Sequence, residues 1–240
     1  MKELENKIIL KDCMEYLLDI PDNYIDLILI DPPYLVSRDT NFASSEKYLK
    51  NEYSKKYCKM TYDFGDWDKK ELNWDFLFNQ FKRILRKGGT LIIFYDGFKM
   101  QELYNMGNKY KFKQPRLNIW QKTNPVPVNS KINYLSNSRE YFISFVKGSK
   151  PTFNSEFDNG LYLYPSCRGK DRTPHPTQKN LNLIEDLIKK HSNEGDRVLD
   201  CFSGSGTTAK GCKNLGRKFY CCEIDEYFYS LSVNRLNEPL

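Results

Sequence analysis

The chain has 240 residues, enough for one sizeable domain and too few for two of comfortable size. Hydrophobic residues at 40% and charged residues at 28% suit an ordinary globular protein; no apolar run is long enough for a bilayer, and the charged start MKELENKIILKD does not read as a signal peptide, so an intracellular protein is expected. Two histidines and seven cysteines, none in a C-x-x-C pair, offer neither a metal site nor a disulfide framework, while the net charge of +6 favours a polyanionic partner such as nucleic acid.

In chain order, strand-like apolar runs occur at KIILKD (7–12), IDLILID (25–31), GGTLIIFY (88–95), RLNIWQ (116–121), EYFISFV (140–146), DRVLDCF (196–202) and KFYCCEID (218–225). Apolar residues at helical spacing, with Lys or Arg in the last turn, mark WDFLFNQFKRILRKG (74–88) and LNLIEDLIKKH (181–191). Buried strands alternating with helices predict an α/β fold with a single doubly wound, mostly parallel sheet. Two stretches interrupt the alternation. Residues 35–73, polar and rich in Lys, Tyr and Asn, read as a lid-like insertion. Residues 147–175, KGSKPTFNSEFDNGLYLYPSCRGKDRTPH, combine basic, aromatic and glycine residues and read as a short segment suited to touch a nucleic-acid backbone. A plain solvated loop is the alternative for each.

The run Ile25–Ile30 ends in Asp31-Pro32-Pro33-Tyr34. Neither proline donates to a ladder, both fix φ, and each restricts the residue before it, so the chain leaves the strand in one stiff, extended form. Such an exit aims the Asp31 carboxylate, the proline carbonyls and the Tyr34 ring in fixed mutual geometry. The bland reading is a strand-ending turn with Asp as a local cap.

After the strand-like run RVLDCF comes SGSGTTAKG. Gly204 and Gly206 allow the backbone to approach a ligand closely, and Thr207 and Thr208 start a helix whose free N–H groups point to the same place, so a nucleotide-like cofactor is expected. The Gly-Lys-Ser/Thr of a P-loop is missing, but Gly204-x-Gly206-x-x-Ala209 satisfies the dinucleotide fingerprint. Glu223 or Asp225, at the end of the next strand, is placed to accept hydrogen bonds from ribose hydroxyls. These features suit NAD and S-adenosylmethionine equally.

The other half of the chain separates the two. DPPY (Asp31–Tyr34), KxNPxP (Lys122, Asn124, Pro125, Pro127), HPTQK (His175–Lys179), DxFxGSGTT (Asp200–Thr208) and the acidic strand end at Glu223 together resemble the amino-methyltransferases of DNA. DPPY precedes the glycine loop, the order of the β class. The resemblance implies the Rossmann-like sheet of S-adenosylmethionine-dependent methyltransferases, circularly permuted, with KIILKD beside KFYCCEID. It implies S-adenosyl-L-methionine as cofactor, held by Asp12, Cys13, Asp31, Thr177, Lys179, Asp200, Phe202, Ser203, Gly204, Ser205, Gly206, Thr207, Glu223 and Ile224. For Asp12, a helix N-cap is the alternative. Asp31, Pro32, Pro33 and Tyr34 are the implied catalytic group, and Lys122, Asn124, Pro125 and Pro127 a wall of the base pocket. Trp120 reads as core and His175 as structural, and Lys47, Lys55, Lys56 and Lys59 in the insertion are expected on phosphates.

The implied reaction is methylation of the 6-amino group of adenine in double-stranded DNA, with the base flipped out of the helix. Asp at the first position of DPPY favours adenine over the 4-amino group of cytosine. Methylation of an amine on RNA, protein or a free base is the enzymatic rival, and a nucleic-acid-binding module without catalysis is the rival from another class. No metal is called for. A restriction endonuclease and a second copy of the chain are the partners implied beyond DNA, with a cytoplasmic location.

Overall fold

A computed structural model describes residues 1–33, 72–125 and 138–237, the Lys170 side chain aside. Its contacts separate two units, Met1–Pro32 with Asn73–Leu240, and Pro33–Leu72; the account below concerns the first. The proposed insertion at 35–73 lies almost wholly outside the described residues.

The described strands are β1 (Lys7–Leu10), β2 (Ile25–Ile30), β3 (Leu85–Tyr95), β4 (Lys113–Lys122), β5 (Arg139–Val146), β6 (Leu161–Tyr164), β7 (Arg197–Asp200) and β8 (Lys218–Glu223). They form one sheet in the order β1-β8-β7-β2-β3-β5-β4-β6. Pairing is parallel except where β5 meets β3 and β4. The expected permutation is present: β1 lies beside β8, with Lys7 opposite Tyr220 and Leu10 opposite Glu223. All six residues of β2 are buried, as a central parallel strand covered on both faces requires. The sheet extends from β2 through β3 in one direction and through β7 in the other, so the carboxyl ends of β2 and β7 flank the switch point where open α/β sheets bind ligands.

Helices α1 (Cys13–Asp19), α2 (Trp74–Ile84), α3 (Met100–Lys109), α4 (Leu181–His191), α5 (Thr207–Asn214) and α6 (Glu226–Asn237) accompany the strands. The predicted helix at 181–191 is α4, capped by Asn180, whose Oδ1 accepts from Leu183 N at 3.1 Å; it buries Leu183, Ile184, Leu187 and Ile188. The helix predicted at 74–88 stops at Ile84. Its last residues belong to β3 because Gly88 sits at φ +80°, and a Cβ on Gly89 would lie 2.8 Å from the Asp26 carbonyl. Arg86, extended rather than helical, donates through Nε to Asp26. Arg197 reaches the other Asp26 oxygen from its backbone N at 2.8 Å and its Nε at 3.0 Å. This explains an acid within the apolar run of β2: it is buried with two guanidinium partners that join β2 to β3 and β7.

The reading of 147–175 as irregular throughout is corrected at β6, which runs parallel to β4 with Ile119 opposite Leu161. The buried Trp120 donates Nε1 to the Tyr164 carbonyl at 2.8 Å. Asn154, in the same segment, donates Nδ2 to the Lys189 and Ser192 carbonyls at 3.0 Å each and so closes the end of α4. Among the described residues no helix is long and apolar enough to cross a membrane.

Candidate active site

The strand order β1-β8-β7-β2 decides which side chains meet. At the carboxyl edge it sets Asp12, Glu223, Asp200 and Asp31, each at or just beyond its strand's end, in sequence across four adjacent strands. Asp12 does take the N-cap role: its Oδ1 accepts from Met14 N at 2.8 Å and starts α1. Cys13 follows it, with its thiol pushed up to about 12, first by burial and then by the Asp12 charge. The thiol is therefore held in its neutral form.

Glu223 ties its strand end to the glycine loop. One oxygen accepts from Gly204 N at 2.7 Å, and the other from Ile224 N at 3.0 Å and Asp225 N at 2.9 Å. Burial raises its carboxyl above the ordinary range, against the pull of these N–H groups. The loop has a second clamp that sequence reasoning missed. Arg235 of α6, 5% exposed, donates to the Ser205 carbonyl at 3.1 Å, Thr207 Oγ1 at 2.9 Å and Asp171 Oδ1 at 2.8 Å. Nothing local in NRLNEPL marks this arginine, since its partners lie about thirty and sixty residues away.

The two loop glycines face protein. At Gly204 (φ +50°) an added Cβ would lie 2.8 Å from His175 Nε2, and at Gly206 (φ +74°) 2.9 Å from Ser232 Cβ. At Gly206 the direction a side chain would take is thus filled by α6. His175 packs on Phe228, ring centroids 4.4 Å apart, and burial, then the nearby Lys179 and Arg172 charges, lowers it to about 4.

Asp200 is buried and raised to about 7, chiefly by burial. Hydrogen bonds from Thr208 and from Phe202 N, the latter at 3.0 Å, oppose the rise, and the Asp31 and Glu223 charges add to it. The folded state therefore holds this proton more tightly than the unfolded one. The resulting stability is complete below about pH 4 and is lost as pH rises through about 7. Asp200→Asn is expected to melt several degrees above the parent at pH 8, with the difference narrowing toward pH 5. Melting temperatures at the two pH values check this, and equal differences at both would refute it.

The remaining candidates are distributed as follows. Lys179, buried, is ion-paired with Asp31 and with Glu140, which no sequence motif singled out; Lys122 is paired with Glu140 at 2.6 Å. Asn124 accepts from Ser166 N at 2.6 Å, and its carbonyl takes Arg168 Nη2 at 3.2 Å, so it secures the 166–168 segment. Pro125 follows it, half-buried, while Thr177 and Ile224 are exposed and Phe202, Ser203 and Ser205 lie in the loop. Tyr34, Pro127, Lys47, Lys55, Lys56 and Lys59 lie outside the described residues. Among the described residues, no three His, Cys, Asp or Glu side chains are gathered closely enough to hold a metal ion.

A permuted doubly wound sheet with a stiff acid-bearing exit and a glycine loop on either side of its switch point defines a class of cofactor-dependent α/β enzyme. This chain belongs to the DNA methylase family, which it matches over residues 25–160 and 156–234. It is 30% identical over 251 residues to the type II methyltransferase M2.MboI of Moraxella bovis, covering 95% of this chain and 86% of that protein. Over 254 residues it is 30% identical to the type II methyltransferase M.HinfI of Haemophilus influenzae, covering 97% and 68%. The crystal structure of an M1.HpyAVI–SAM complex aligns with a TM-score of 0.72 at 26% identity, over 97% of this chain and 99% of that one.

Proposed function

We propose that the protein is a site-specific DNA methyltransferase that transfers a methyl group from S-adenosylmethionine to the 6-amino group of adenine in duplex DNA. The observation that carries this is the position of Asp31 at the end of β2, beside the switch point and one strand from the glycine loop that follows β7. The donor set suits the cofactor. Asp12, Glu223 and Asp200 offer carboxylates to a ligand that bears a sulfonium, an ammonium and ribose hydroxyls. When bound, the sulfonium supplies an activated methyl group and a neutral leaving group.

The rest of the chemistry falls to the chain. An exocyclic amine is a poor nucleophile because its lone pair is delocalised into the ring. The Asp31 carboxylate and the Pro32 carbonyl each accept one N–H, which draws the nitrogen toward tetrahedral geometry and turns its lone pair to the methyl group. Asp31 then takes the proton released by transfer. Most of the acceleration comes from this alignment, since the donor is already activated.

An amine inside a duplex does not reach a strand-end pocket, so the base is swung out, at a cost of a few kcal/mol, and Tyr34 stacks on it. Asn124, Pro125 and Pro127 wall the base, and Lys47, Lys55, Lys56 and Lys59 meet phosphates. The family likeness supports a cytoplasmic enzyme working with a cognate restriction endonuclease, and a second copy of the chain would enlarge its small recognition surface. The test is to methylate duplex DNA with the purified protein, digest it and weigh the nucleosides. N6-methyldeoxyadenosine is expected, and methylated deoxycytidine alone, or label on RNA alone, would overturn the reading.

A further inference from the structure

Because β5 runs antiparallel to β3, its first residues lie at the edge where β2 and β3 end: Tyr141 is opposite Tyr95, which puts Glu140 beside the active-site acid. Lys179 Nζ donates to Asp31 Oδ2 and lies 3.0 Å from Glu140 Oε2, and Glu140 Oε1 takes Lys122 Nζ at 2.6 Å. The four side chains thus form a row of alternating charge. Lys179 also stands 5.2 Å from the centre of the Phe94 ring, in the core of the sheet. Burial works against its charge, but the Asp31 and Glu140 charges outweigh burial and hold the ammonium above its ordinary value. Burial pushes Glu140 up in turn, and the Lys179 and Lys122 charges outweigh it and hold the acid below its ordinary range.

We infer that Lys179 and Glu140 are positioning residues for methyl transfer: Lys179 fixes the orientation of the Asp31 carboxylate through Oδ2, and Glu140 sets how much of the ammonium's charge falls on Asp31. The inference rests on Asp31 being the group that accepts the amine N–H. It also gives HPTQK a task other than the cofactor contact implied by resemblance, because an ammonium enclosed by two acids serves those acids.

The two residues make opposite demands on the ionisation of Asp31. Without Lys179 the carboxylate loses a cation; without Glu140 it receives the ammonium's charge undivided. The test is the single-turnover rate on duplex DNA against pH for the parent, Lys179→Gln and Glu140→Gln, with S-adenosylmethionine affinity measured by calorimetry on each. Lys179→Gln is expected to slow transfer about a hundredfold, with cofactor affinity unchanged and the acid limb of the profile moved up by about one pH unit. Glu140→Gln, a near-isosteric change at a partly exposed position, is expected to move the acid limb down. Lys179→Arg should restore part of the rate.

Cofactor affinity lost tenfold or more in Lys179→Gln, with an unmoved limb, would return the lysine to the cofactor and overturn the inference. So would limbs that move in the same direction, or a stationary limb in Glu140→Gln should Lys179→Gln fail to fold. A parent protein that transfers no methyl to DNA would sink the proposed function itself; an active parent with unmoved limbs sinks this inference alone.

Discussion

Asp31→Ala is expected to lower methyl transfer by about a thousandfold, on the order of 4 kcal/mol of transition-state stabilisation, while S-adenosylmethionine binding changes by no more than about twofold. The asymmetry follows from position. Asp31 leads the exit from β2, while the glycine loop is built from the end of β7 and is held by Glu223 and Arg235. Removing Asp31 leaves those clamps in place and takes away the group proposed to order the target amine. Calorimetry with the cofactor and a single-turnover assay with DNA separate the two effects. A cofactor affinity that falls in step with the rate would show that Asp31 serves the nucleoside.

Gly206→Val is expected to act on the fold before it acts on the ligand. The residue caps α5 in the left-handed region at φ +74°, where a β-branched side chain is strained by about 1–2 kcal/mol. Its Cβ would also press on Ser232 Cβ at 2.9 Å and on Ile8 Cδ1 at 3.4 Å, an overpacking worth about 1–3 kcal/mol more. At about 2–4 °C per kcal/mol for a chain of this size, the melting temperature measured without cofactor should fall by roughly 10 °C. An unchanged melting temperature with cofactor binding lost would mean that the glycine is kept bare for the ligand after all.

How much was legible in the sequence depended on whether the cause was local. Ile25–Ile30 reads as a buried strand because a run of branched and apolar residues ends at an acid and two prolines, and β2 occupies those six positions. The helix at 181–191 is legible from its apolar spacing and its basic last turn. The glycine loop and the start of α5 at Thr207 follow from a local motif, and the adjacency of β1 and β8 from the family resemblance. The helix end at Ile84 was misplaced because the partner that draws Arg86 into a strand, Asp26, is sixty residues away. For the same reason β6, four residues paired with β4, has too little period of its own to be seen.

By itself the sequence determined the class of sheet, the strand that carries the acid and the glycine loop, because each is written in contiguous residues whose backbone preferences act over a few positions. Only the tertiary structure decided which charges meet. Lys179 between Asp31 and Glu140, Arg235 across the glycine loop, and Glu223 bound to the Gly204 N–H are pairings between distant segments. Their strength comes from burial at a shared sheet edge, and that edge exists only once the antiparallel β5 and the permuted β1 have taken their places.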